Sequence, residues 1–195
     1  MGASTDAPRV EHSRGRPRPA HVCGLSWGGT VALELYRRRP QAVATLVLAD
    51  TYAGWKGSLP EDEIRARVSS VERMLAEPAE TGPPGFPGLF AGEPPADALE
   101  LLAAIAADVR RESLRGALAA MAEADVRDVL PSIAVPTLLI WGERDARSPL
   151  TVAQQFARAI PDAELVLIPG AGHMSNLERP DAFNAAVRAF HARLR

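Results

Sequence analysis

The stretch Ala20-His21-Val22-Cys23-Gly24-Leu25-Ser26-Trp27-Gly28-Gly29-Thr30 decides the fold. An apolar run ends in Gly-x-Ser-x-Gly and gives way to Thr30-Val31-Ala32-Leu33-Glu34-Leu35-Tyr36-Arg37, which has helical character. Strand, sharp turn and helix follow one another within a few residues. Such a turn lifts the Ser26 hydroxyl clear of the sheet on strained backbone, and Gly24 and Gly28 are read as the positions that give the turn room. The same turn aims the Trp27 backbone N–H and the positive end of the helix at one point in front of Ser26, where a developing oxyanion would be stabilised.

The rest of the chain alternates strand and helix around this turn. Pro40 stops the first helix near Arg39, with Arg37, Arg38 and Arg39 in its last turn complementing its dipole. Val43 to Asp50 is a continuous apolar run ending in an acid, the pattern of a parallel strand covered on both faces. Pro136 to Trp141 and Glu164 to Ile168 repeat it, and Ser148-Pro149 reads as the N-cap and first residue of a helix. A closing helix opens at Pro180 with Phe183, Val187, Phe190 and Leu194 on one face. Between Thr51 and Pro131 the periodicity is helical throughout: Ile64, Val68, Val71 and Leu75, then Leu99, Leu102, Ala106 and Val109, then Leu114, Leu118 and Met121. Residues 82–95 hold five prolines and four glycines and read as a mobile loop. The expected organisation is a disordered arm at 1–19, an α/β core at 20–53 and 132–195, and a helical lid at 54–131.

Composition narrows the function. With 47% hydrophobic and 24% charged residues the chain suits one globular core. A net charge of −2 leaves no basic footprint for nucleic acid and no polybasic membrane anchor. No apolar run is long enough to span a bilayer and no signal-peptide core is visible, so the default location is cytoplasmic. Cys23 cannot form an internal disulfide, being the sole cysteine, and is expected to pack in the core. No metal is expected, because the histidines and acids lack ligand spacing such as His-Glu-x-x-His.

Three chemistry-bearing residues fall at the C-terminal ends of expected parallel strands, the edge where open α/β sheets bind ligands: Ser26, Asp145 and His173. In the roles this trio suggests, Ser26 attacks an acyl carbon, His173 takes and returns its proton, and Asp145 orients the imidazole. Asp145 is the favoured acid and Asp50 its rival. Trp55, Met74, Phe86 and Phe90 are candidate lining for an apolar substrate pocket, although packing within the lid explains them as well.

Together, Cys23 to Gly29, Leu46 to Thr51, Pro136 to Asp145 with Pro149 following, and Pro169 to His173 with Glu178-Arg179-Pro180 resemble the α/β-hydrolase superfamily. They are most similar to its capped branch of 3-oxoadipate enol-lactonase-like and esterase-like hydrolases. The order Ser, Asp, His matches that superfamily. The resemblance implies an eight-stranded sheet with a helical lid between strands six and seven, no cofactor, and hydrolysis of a small ester or lactone. Against that pattern the chain corresponds to strands five to eight, a partial α/β-hydrolase fold. Strands one to four and the His-Gly loop that donates a second oxyanion N–H have no counterpart in residues 1–19. Two expectations follow. Activity is weak or absent in the isolated chain, and the open edge of the elbow strand invites self-association or completion by another polypeptide.

Overall fold

The computed structural model describes residues 18–76 and 88–194. The expected arm falls outside them apart from Arg18 and Pro19, as does Phe86. Four strands, β1 (Ala20–Leu25), β2 (Val43–Ala49), β3 (Thr137–Gly142) and β4 (Glu164–Ile168), form one parallel sheet in the order β1-β2-β3-β4. Helix α1 (Trp27–Arg38) follows β1 and α5 (Leu150–Ala159) follows β3, while the four-residue α6 (Ser175–Glu178) and α7 (Pro180–Ala192) follow β4. Among the described residues between β2 and β3 are the α-helices α2 (Glu61–Ala76), α3 (Ala96–Asp108) and α4 (Arg111–Glu123). Among the described residues no helix is long and apolar enough to cross a membrane.

The apolar runs are buried on both faces, as a parallel sheet requires. Leu46 and Leu48 of β2 with Leu139 and Trp141 of β3 meet Leu33 of α1 and Phe156 of α5 on one side. Val47, Ala49, Leu138 and Ile140 meet Phe183 and Phe190 of α7 on the other. All six residues of β3 are buried, and the Trp141 indole N–H is satisfied by the Ser148 carbonyl at 2.8 Å. A buried tryptophan needs that partner, since an unpaired donor there would carry its full desolvation cost.

Several expectations are corrected. Cys23 is exposed, because among the described residues β1 pairs only with β2 and α7 lies chiefly across β3 and β4. The burial that remains raises the thiol above its ordinary pKa, which disfavours the reactive thiolate. Ser148 does not cap α5; Pro149 holds that place, and the Ser148 hydroxyl donates to the Thr51 carbonyl at 2.8 Å, tying the end of β3 to the end of β2. Val109 and Leu194 lie beyond the ends of their helices and are exposed. Residues 82–87 of the expected mobile loop lie outside the described residues; within 88–92 the Glu178 carboxylate accepts from Ala91 N–H at 2.9 Å and, beyond it, from Gly172 N–H at 2.5 Å, and Met174 N–H donates to Leu89 O at 2.9 Å.

The elbow glycines are also not equivalent. A Cβ on Gly24 would lie 2.3 Å from the Gly28 carbonyl oxygen, whereas one on Gly28 would meet nothing within 4 Å. The turn therefore needs Gly24 so that β1 can approach α1, and Gly28 is the backbone it approaches. Gly29 is the second crowded position, its missing Cβ making way for Thr51.

Asp50, at the end of β2, serves as a buried cross-tie. Fully buried and at φ 47°, it accepts from Gly142 N–H at 2.7 Å and from the Ser175 hydroxyl at 2.5 Å, joining β2, β3 and α6. Burial pushes its carboxyl from 3.8 up to about 8; the two hydrogen bonds oppose this and the nearby Asp145 adds to it.

Two predictions follow from this packing. Gly24→Ala loses about 1–3 kcal/mol or more of stability through overpacking against fixed backbone, while Gly28→Ala is neutral or gains up to about 1 kcal/mol from helix propensity; denaturant unfolding of both variants checks the contrast. For Asp50, the unfolded chain releases its proton near 3.8 and the folded chain near 8, so this group makes stability fall as pH rises through that window and level off above it. Asp50→Asn, which mimics the protonated carboxyl and can donate to Ser175, flattens that slope in melting midpoints taken from about pH 5 to about pH 9.

Candidate active site

Ser26 occupies the turn between β1 and α1 with φ 53° and ψ −125°, backbone that a non-glycine residue adopts only when its surroundings hold it there. They do so at both ends of its peptide. Ser26 N–H donates to Ala49 O at 2.9 Å, and Ser26 O accepts from Gly29 N–H at 2.9 Å and from the Thr51 hydroxyl at 2.5 Å. A serine at a helix N-cap ordinarily accepts from an N–H of the first turn. Ser26 makes no such bond, and its Oγ lies instead 2.8 Å from His173 Nε2.

His173 leaves the Pro169–Gly172 loop after β4 and is 3% exposed. Its Nδ1 lies 2.9 Å from Asp145 Oδ2. A carboxylate there sets the tautomer: Nδ1 carries the proton and donates it, and Nε2 is left to accept from the Ser26 hydroxyl. Asp145 is itself held in place, its Oδ1 accepting from Arg147 N–H and Ser148 N–H, each at 2.8 Å. The structure thus joins Ser26, His173 and Asp145 in one hydrogen-bonded line across β1, β3 and β4. It places the rival Asp50 on Gly142 and Ser175 instead. Trp27 is the first residue of α1, where a backbone N–H has no partner one turn earlier.

A cleft with about 330 Å³ of empty space, part of it open to solvent, lies in front of Ser26 and His173. Of the expected lining residues Trp55 is present, joined by Trp27, Thr30, Tyr52, Arg67, Met121 and Arg147. Met74 and Phe90 are half-buried and do not line it; the Phe90 backbone lies instead beside Gly172 of the loop that leads to His173. Sequence reading missed Tyr52, Arg67 and Arg147, and it missed Glu178 and Ser175, which brace the His173 loop. Glu178 stands in the Glu178-Arg179-Pro180 run, which does not reveal its partners, and the other four residues reach the site by tertiary packing alone. Among the described residues no three His, Cys, Asp or Glu side chains converge on a possible metal position.

Comparison with known proteins gives the family. Residues 3–186 match the family described as the alpha/beta hydrolase family. The chain is 33% identical over 185 residues to a pimeloyl-[acyl-carrier protein] methyl ester esterase of Aromatoleum aromaticum, covering 85% of this chain and 71% of that protein. It is 31% identical over 172 residues to 3-oxoadipate enol-lactonase 2 of Acinetobacter baylyi, covering 87% and 62%. Among solved structures, a thermophilic esterase of Thermogutta terrifontis with malate bound superposes with a TM-score of 0.74 at 30% identity, covering 90% of this chain and 65% of that one. The chain thus spans about two thirds of the length of such relatives. With a parallel sheet, a serine elbow and this match over most of its length, the chain belongs to the alpha/beta hydrolase family.

Proposed function

We propose that the chain is a serine hydrolase of carboxylic esters or lactones, with Ser26 as nucleophile, His173 as general base and acid, Asp145 as orienting acid and Trp27 N–H as an oxyanion donor. The observation that carries this reading is the line from Ser26 Oγ through His173 to Asp145, with spacings of 2.8 and 2.9 Å, at the mouth of a cleft. The esterase and enol-lactonase names of its relatives support the substrate class.

In the first half-reaction Ser26 Oγ bonds to the acyl carbon as its proton moves to His173 Nε2. The carbon–oxygen bond to the leaving group then breaks, and the alcohol departs with that proton. In the second, water gives a proton to His173 and attacks the acyl-serine; the acid leaves and Ser26 recovers its proton. One water is consumed and no cofactor enters. Segment 54–131 supplies Trp55, Arg67 and Met121 to the cleft, which supports its role as a lid over Ser26.

A second reading, a binding module completed by another polypeptide, is favoured by one observation: among the described residues β1 has a hydrogen-bonded neighbour on one side only. Light scattering after size exclusion separates the two, since pairing through β1 predicts a dimer or a mixed complex at micromolar concentration and a strict monomer counts against it. For the hydrolase reading, a fluorophosphonate probe labels the wild type and not Ser26→Ala, and Asp145→Asn lowers kcat on an aryl ester by about 10⁴-fold. Equal turnover by wild type and Ser26→Ala removes Ser26 as nucleophile.

A further inference from the structure

His173 stands between two backbone tethers that lead to the same distant segment. Gly172 N–H, just before it, donates to Glu178 Oε2 at 2.5 Å, and Met174 N–H, just after it, donates to Leu89 O at 2.9 Å. The other oxygen of Glu178 accepts from Ala91 N–H at 2.9 Å, 87 positions away in sequence. One half-buried carboxylate at the end of α6 therefore joins the histidine loop to residues 88–92.

The segment is closely packed as well as bonded. A Cβ on Gly172 would lie 2.5 Å from Ala91 N and 2.8 Å from the carbonyl carbon of Phe90, so backbone meets backbone there. At its other end Gly88 adopts φ 78°, and a Cβ on it would lie 3.3 Å from Arg147 Cγ and 3.7 Å from Ala146 Cβ. Residues 88–92 thus lie against two loops at once, the one that carries His173 and the one that carries Asp145. A separate brace, Glu143, accepts from Gly170 N–H at 3.0 Å and ties the same histidine loop to the end of β3 without touching this segment. Glu178 is not part of the cleft wall.

We propose that Glu178 is a positioning residue for the general base: its carboxylate clamps residues 88–92 onto the histidine loop, and the Nδ1–Asp145 and Nε2–Ser26 hydrogen bonds keep their alignment only while that segment is seated. The inference rests on the hydrolase reading above and adds to it a dependence of the base on the segment inserted between β2 and β3. Catalytic groups work only when held within about 0.5 Å of their productive places. Each tether ends one residue from His173, so releasing them lets the imidazole shift against Ser26 and Asp145, which other elements hold. A carboxylate suits the task because both of its oxygens accept, and a charged acceptor strengthens each bond; an amide of the same shape offers one acceptor and one donor.

The test compares the full wild-type chain with Glu178→Gln and Glu143→Gln. Glu178→Gln fills the same space but turns a donor towards a backbone N–H, which breaks the double tether. It is expected to lower kcat on an aryl ester and the rate of fluorophosphonate labelling by about ten- to a hundred-fold, with KM little changed. The deshielded Nδ1 proton of His173, followed by NMR and assigned by its loss in His173→Gln, is expected to broaden or vanish in the same variant. Glu143→Gln keeps an acceptor for its single N–H and is expected to match wild type in every readout. A Glu178→Gln chain that labels at the wild-type rate and keeps the Nδ1 signal overturns the proposal, as does an equal loss in Glu143→Gln. Should Glu178→Gln fail to fold, amide hydrogen exchange of the wild type decides. Ala91, Gly172 and Met174 N–H are expected to show equal protection, as groups released in a single opening, and free exchange at any of them overturns the clamp. If the wild type itself takes no probe, the hydrolase reading fails, while the Nδ1 signal and the three amides still decide the positioning role.

Discussion

The close approach of β1 to α1 at the elbow is the constraint on which the rest depends. Backbone at φ 53° costs ~1–3 kcal/mol for a residue with a side chain, and Ser26 adopts it because three hydrogen bonds and two absent Cβ atoms leave it no alternative. Gly24 lets the Gly28 carbonyl come close; Gly29 lets the Thr51 hydroxyl reach Ser26 O. Because Thr51 follows β2 directly, the elbow geometry is set by the neighbouring strand as much as by its own sequence. The same hydrogen bonds turn the Ser26 side chain away from helix capping and towards His173.

Two buried carboxyl groups at the same sheet edge are given different work by their surroundings. Asp145 accepts two backbone N–H groups on one oxygen and the imidazole on the other, which suits a charged acceptor. Asp50 has one backbone N–H and one hydroxyl in a fully buried setting, and burial holds it protonated well above the usual carboxylate range. One carboxyl orients the histidine; the other joins the ends of β2 and β3 to α6 so that the histidine loop has a fixed place to stand.

Much of the architecture was legible in advance. The strands at 20–25, 43–49, 137–142 and 164–168 could be read because short continuous apolar runs that stop at Ser, Asp, Gly or Pro suit parallel strands covered on both faces. Where reading failed, the reason is distance in sequence. Cys23 sits in an apolar run but on the strand that edges the sheet among the described residues, and edge position is a property of the whole sheet. Gly28 belongs to the motif, yet the direction of its Cα decides whether a side chain would collide. Ser148 has the composition of a cap and is drawn off by a carbonyl 97 positions away.

By itself the sequence determined the fold class, the elbow and the chain order Ser26, Asp145, His173, because each rests on local periodicity or on residue types within a single turn. Only the tertiary structure decided which acid meets the imidazole, which glycine is indispensable and which side chains line the cleft. Asp50 and Asp145 both follow strands at the same sheet edge; what separates them is whether the segment after β4 brings His173 Nδ1 or the Ser175 hydroxyl within hydrogen-bonding range. Arg67 and Arg147, 80 positions apart, share a cleft because α2 folds back over the sheet edge, a juxtaposition that no spacing along the chain encodes.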